Sequence, residues 1–260
     1  MNKSQLDEIW TMVDRDYLVR FLEKHPQAIF ATISGAHLYG FASPDSDVDL
    51  RGAYMLSLKE VLGIRKPRET ITVSDESIID LDWVAHDIRK FASMMVRHNG
   101  YVLEQLFSPV VVVTSPAHEE LIELGKGCVT RPLVRHYLGF ARGRKKRMGE
   151  PNPTVKHLLY AYRVLLTGIH AMETGEILAN IIDLNERFRI EAINELVDRK
   201  RSGNEFMALR LHDHAVHAPL LDHLEQRLHE AYEESELPME PTTKEAINDF
   251  VVRIRLESAE

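Results

Sequence analysis

Cysteine is nearly missing: Cys128 is the only one in 260 residues, so no intrachain disulfide can form and a reducing compartment fits best. Long apolar runs are missing too, and nothing approaches the roughly 20 residues that a membrane-spanning helix needs. The opening MNKSQLDEIW has neither a basic start nor an apolar core, so no signal peptide is expected. The expected location is the cytoplasm, with no membrane partner. Basic residues are in deficit, 32 Lys and Arg against 40 Asp and Glu, for a net charge of −8. That balance excludes a general nucleic-acid coat protein but leaves room for a basic groove on an acidic body. Repeats and long low-complexity segments are absent as well. What remains is 44% apolar and 28% charged, enough for a real core under a charged surface, in one large domain or two small ones.

The chemistry concentrates between Ser34 and Gly52. The strand-like run Ala28–Ile33 ends in Ser34-Gly35-Ala36, and ten residues then separate Ala36 from Asp47. Asp47 and Asp49 flank Val48 in a second strand-like run. Their side chains share one face, while Val48 and Leu50 take the other. Two carboxylates on an open face suit a hard divalent cation. A glycine turn nearby lets backbone approach phosphate closely. The combination points to Mg²⁺ and a nucleoside triphosphate. With the longer pattern G-A-H-L-Y-G followed by S-P-D-S-D-V-D-L-R-G, the sequence resembles the minimal nucleotidyltransferase superfamily of DNA polymerase β-like enzymes. Within it, the match is to a bacterial and phage branch of uncharacterised predicted nucleotidyltransferases. Two residues depart from the pattern. Ala36 stands where Ser or Gly is usual, and Ser34 where an apolar residue is usual. The hydroxyl contact to a terminal phosphate is therefore lost, and Ser34 or backbone N–H groups are its substitutes.

Elsewhere, periodicity predicts one amphipathic helix from Leu6 to His25-Pro26 and a short helix around 37–42. It predicts strands at Val48–Met55, Ile78–Ala85 and Val110–Val113, and a capped short helix at Ser57–Leu62. Further helices are expected at Ile88–Val96 and Val102–Phe107, the first stopped by His98-Asn99-Gly100. In the 78–85 strand, Asp80 and Asp82 share the polar face. The resemblance implies a third aspartate just before a helix beginning with an apolar residue and Arg-Lys-Phe. Ile88-Arg89-Lys90-Phe91 matches that signature, which selects Asp82. From Ala117 helical periodicity takes over, with helices expected at 117–125, 131–147, 154–174, 187–200, 219–234 and 242–257. The expected fold is α+β: a small mixed-sheet catalytic domain at 1–115, then an all-helical domain at 116–260.

Two features of the helical half stand out. Arg142, Arg144, Lys145, Lys146 and Arg147 form a basic run, either an electrostatic guide for a polyanion or a solvated helix end. Lys156, Tyr160 and Arg163 share one helix stripe, either suited to phosphate grip and base stacking or a plain exposed face; the resemblance places similar basic positions there. His212, His214, His217 and His223 cluster without a convincing second ligand group for zinc, and are expected to lie in a solvated loop. His37, inside the turn, is a further phosphate contact or a structural residue.

The resemblance implies metal-dependent nucleotidyl transfer from a nucleoside triphosphate such as ATP. Asp47, Asp49 and Asp82 would be catalytic and would hold Mg²⁺ or Mn²⁺; Ser34, Gly35, Ala36, Lys156, Tyr160 and Arg163 would contact the nucleotide. The acceptor is not written in the sequence: an RNA end, a protein hydroxyl and a small molecule such as an aminoglycoside all remain, and the basic run favours a polyanion. Two readings from other classes stand beside this one. Ala36 is the feature that supports a non-catalytic nucleotide- or nucleic-acid-binding module on the same fold. The other is an antitoxin-like interaction protein.

Overall fold

The computed structural model describes residues 1–203, 207–210 and 212–258. It is an α+β protein with one mixed sheet of five strands and a helical region toward the C-terminus. The chain begins with two helices, α1 (Lys3–Met12) and α2 (Arg15–Leu22), where a single helix was expected. Val13 is extended, and the Asp14 side chain accepts from the Tyr17 N–H, so a fresh N-cap interrupts the apolar periodicity. The next elements are β1 (Ala28–Ile33), α3 (Gly35–Tyr39), β2 (Val48–Tyr54) and α4 (Leu58–Leu62). Ser57 and Glu60 cap α4 reciprocally, as their spacing predicts.

β3 (Thr70–Asp75) was not foreseen. It lies at the sheet edge, where Ile71 and Val73 are only half-buried between polar residues. β4 (Leu81–Asp87) starts at Leu81 rather than Ile78, which sits exposed in a bend. α5 (Ile88–Met95), α6 (Gly100–Leu106), β5 (Val111–Val113) and α7 (Pro116–Lys126) follow. The strand order is β3-β4-β2-β1-β5; β2 runs parallel to β4, and the other pairs are antiparallel. Phe30, Leu50, Trp83 and Phe91 are wholly buried around this sheet, and the Phe30 and Phe91 rings meet edge to face at 5.3 Å.

Two compact units emerge, interleaved along the chain. The first holds Met1–Gly35, Asp47–Cys128 and the segment from Pro241 onward. The second holds Ala36–Ser46 together with Val129–Glu240. Its helices are α8 (Leu133–Met148), α9 (Val155–Thr174), α10 (Ile181–Phe188), α11 (Glu191–Ser202) and α12 (Asp213–Glu234). α9 is apolar nearly all round and buried along its length, with α8, α10, α11 and α12 packed against it. The last helix, α13 (Lys244–Glu257), belongs to the first unit.

Three expectations for this half need correction. α10 was missed; Asn180 caps it by accepting from the N–H groups of Ile182 and Asp183. α11 starts at Glu191 rather than 187, because Arg189 turns left-handed at φ 54°. α12 starts at Asp213 rather than 219. Asp213 is held there by Arg199 at 2.9 and 3.1 Å and by the Arg210 N–H at 2.7 Å. His214, His217 and His223 therefore lie on a helix, with His212 at its N-cap. His217 is buried, its Nδ1 2.9 Å from the Tyr162 hydroxyl, so it is a core partner and not part of a solvated loop.

Candidate active site

Parallel pairing of β2 and β4 puts Asp49 and Asp82 in register, hence on one sheet face. Their side chains remain 16% and 36% exposed. Asp47 lies one residue before β2. Asp80 lies just before β4, exposed, and its carbonyl accepts from the Val48 N–H at 2.7 Å.

Between the paired acids sits a residue that sequence reasoning overlooked. Arg51 points to the same face as Asp49, two residues on. Its Nη2 pairs with Asp49 Oδ1, and with Asp82 Oδ2 at 3.0 Å. Nη1 donates to the carbonyls of Leu50 at 2.9 Å and Asp82 at 2.6 Å, and Nε donates to the Tyr101 hydroxyl at 2.9 Å. Burial alone would lower the Arg51 pKa; Tyr101, Asp49 and Asp82 more than offset it and raise the pKa. Repulsion between the two carboxylates is thus relieved in part by a neighbouring side chain. The signal was present in the motif, since Asp47, Asp49 and Arg51 recur at the period of a strand.

Gly35 explains why the turn can sit against these acids. Its φ is +59°, and a Cβ there would fall 1.8 Å from Asp49 Oδ2. The Ser34 N–H donates to the Asp49 carbonyl at 2.8 Å. The Ser34 side chain is fully buried, and its hydroxyl has no hydrogen-bond partner among the described residues.

The donor chemistry at Asp49 and Asp82 fits a hard divalent cation: two in-register carboxylates, partly open to solvent, beside a turn that a Cβ would block. Among the described residues, no three His, Cys, Asp or Glu side chains are gathered as a group that could hold an ion.

The other candidates lie in the second unit. Ala36 is buried, and its carbonyl accepts from the N–H groups of Gly40 and Phe41, both at 3.1 Å. His37 is buried in α3. Lys156, Tyr160 and Arg163 come together on α9, around rings contributed by the turn segment. The Arg163 guanidinium lies 3.9 Å over the Tyr39 ring, and Tyr160 meets Tyr39 and Phe41 edge-on at 5.5 and 5.4 Å. Lys156 Nζ is 5.9 Å from the Tyr160 ring centre.

The basic run divides according to its neighbours. Arg142 donates to Glu225 at 2.8 Å, and Lys145 pairs with Asp222 and, at 3.1 Å, with Glu225 of α12. Arg144 turns the other way, 4.6 Å over Tyr160 and 5.0 Å over Phe140. Burial first, then the nearby Arg147 and Arg163, keeps Arg144 below the ordinary arginine range. The same positive field adds to burial in lowering the His157 pKa. Arg144 thus joins Lys156 and Arg163 in a cationic, aromatic-floored cluster that sequence spacing could not assemble.

Residues 12–253 match the RNA repair pathway DNA polymerase beta family. The chain belongs to that family. Membership makes it a polymerase β-like protein of nucleotidyltransferase type, as the Gly35–Asp49 motif implied. Two relatives are similar over shorter stretches. An uncharacterized protein of Methanocaldococcus jannaschii is 34% identical over 155 residues, 57% of this chain. The match covers 61% of that protein, so the chain spans less than two thirds of its length. The uncharacterized protein YcgL of Bacillus subtilis is 26% identical over 188 residues, 68% of this chain and 71% of that one. No helix among the described residues of this family member is long and apolar enough to cross a membrane.

Proposed function

We propose that the protein is a metal-dependent nucleotidyltransferase, moving a nucleoside monophosphate from a nucleoside triphosphate such as ATP to an acceptor hydroxyl. The observation that carries this reading is the in-register Asp49–Asp82 pair beneath the Gly35 turn. Asp49 and Asp82 would hold the divalent cation, Mg²⁺ or Mn²⁺, and Asp47 would complete the set. When bound, such cations lower the pKa of an attacking hydroxyl and neutralise a leaving pyrophosphate. Arg51 holds both carboxylates in one orientation and keeps their charge from driving them apart. Backbone N–H groups at Gly35-Ala36, with Ser34, would face the terminal phosphates. In the second unit, Lys156, Arg163 and Arg144 would offer cationic contacts to a phosphate, and Tyr160 a ring for base stacking. In the transfer, the acceptor oxygen bonds to the α-phosphorus and the bond to the pyrophosphate oxygen breaks in line. The family's description favours an RNA acceptor, and the basic cluster suits one.

The test is incubation with each labelled nucleoside triphosphate, Mg²⁺ or Mn²⁺, and total RNA. Label should move into RNA, with pyrophosphate released. Asp49→Asn and Asp82→Asn should each lower the rate by at least about 100-fold while the protein stays folded. Transfer at the wild-type rate by either variant would overturn the assignment.

A further inference from the structure

The acceptors around the Arg51 guanidinium are of two kinds, and all belong to the first unit. Three are neutral. The Tyr101 hydroxyl takes Nε at 2.9 Å, and the Leu50 and Asp82 carbonyls take Nη1 at 2.9 and 2.6 Å. The other two are carboxylate oxygens, Asp49 Oδ1 and Asp82 Oδ2, and both take Nη2. A guanidinium has five N–H groups, so each of them has an acceptor here.

That division matters for an incoming cation. The neutral contacts fix the guanidinium plane independently of the carboxylates. Nη2 then claims one oxygen of each acid, and with it the negative charge that a divalent ion held by both would need. An arginine keeps its charge inside a protein, so it cannot yield by becoming neutral. Its side chain is only 9% exposed, and little water is present to screen it from a second cation. With Arg51 in its observed place, the two acids are aimed together and already partly neutralised.

We propose that Arg51 is a positioning residue that stands in for the divalent cation. In the metal-free protein Nη2 holds Asp49 and Asp82 together, and the incoming ion has to displace it. This rests on the reading of Asp49 and Asp82 as ligands of that ion. The exchange starts at Asp82, the more open of the two acids at 36% exposed. The consequence is a weaker metal site whose acids stay assembled when no metal is present. Removing the Arg51 charge therefore acts in the opposite sense to removing an ordinary structural support, since it strengthens metal binding.

The experiment compares full-length wild type, Arg51→Met and Tyr101→Phe. Arg51→Met removes the charge. Tyr101→Phe keeps it but removes the acceptor of Nε, which loosens the hold on the guanidinium. Mn²⁺ affinity is read by electron paramagnetic resonance, and melting temperature is read with and without a fixed Mn²⁺ concentration. Arg51→Met should bind Mn²⁺ at least about tenfold more tightly than wild type, as expected when a like charge beside an ion is removed. Without divalent ions it should melt below wild type, because the acids are left to repel each other. Added Mn²⁺ should then raise its melting temperature by more than that of wild type. Tyr101→Phe should also bind Mn²⁺ more tightly than wild type, by a smaller factor. If Arg51→Met does not fold, the sign of the change in Tyr101→Phe decides. Unchanged or weaker Mn²⁺ binding in the deciding variant, with wild type still binding the ion, overturns the proposal and leaves the transferase reading standing. If neither wild type nor any variant binds Mn²⁺, the metal-centre reading falls and the proposal falls with it.

Discussion

Gly35 is the residue on which the geometry of the acidic face turns. Its left-handed φ and the 1.8 Å approach of a notional Cβ to Asp49 Oδ2 leave no room for another side chain. Gly35→Ala must therefore distort either the turn or the carboxylate. The expected cost is about 1–3 kcal/mol of stability, with a larger fractional loss of transfer, since Asp49 is displaced from Arg51 and Asp82. Urea denaturation and single-turnover transfer on the same preparation check both parts. A Gly35→Ala protein as active as wild type would mean that Asp49 does not need its observed position.

Among the elements, β4 serves two purposes. One end carries Asp82; the other carries His86 and Asp87. His86 Nδ1 lies 3.0 Å from Thr70 Oγ1 on the edge strand β3, and Lys90 Nζ donates to the same hydroxyl at 2.6 Å. Burial, then Lys90 and Arg51, pushes the His86 pKa down from 6.5 to about 4. The neutral imidazole is the form that fits the fold. The unfolded chain takes up its proton near pH 6.5 and the folded protein only near pH 4, so this contribution is present above 6.5 and lost as pH falls toward 4. β3, half-buried at the edge, should loosen first. Urea denaturation from pH 7.5 to 4 should show stability falling over that window, less steeply in His86→Gln. A parallel pH dependence in the two proteins would assign the loss to other groups.

At the scale of the whole molecule, the C-terminal return matters most to the first unit. Arg255 of α13 donates to both oxygens of Asp87 at 3.0 Å, and Asp87 is completely buried. The same carboxylate accepts from the N–H groups of Leu56 and Arg89, each at 3.0 Å. One acid therefore joins the end of β4, the start of α5, the approach to α4 and a helix 168 residues away. Asp87→Ala would leave a buried guanidinium without its partner, at an expected cost of about 3–5 kcal/mol. Adding Arg255→Met should recover much of that loss, because no charge is then stranded. Thermal denaturation of the single and double variants measures the difference; equal destabilisation in both would show that the ion pair is not the link.

Much of the architecture could be read directly from the residues because it follows local periodicity. β1 lies where a short apolar run put it, and α7, α9 and α13 where helical spacing did, since such patterns are local properties of the chain. The family was legible because a glycine turn, a fixed spacer and an alternating acid pair are contiguous in sequence. The pairings were not. Arg51 could be seen to share a face with Asp49, but its bridge to Asp82 depends on the parallel register of β2 with β4. The basic run looked uniform until α12 supplied carboxylates to Arg142 and Lys145 but not to Arg144. Lys200 was one more charge in a polar helix, and nothing nearby marked it for burial against Ser43. Periodicity tells a side chain which way to face; which group it meets there depends on contacts closed by packing between segments far apart in the chain.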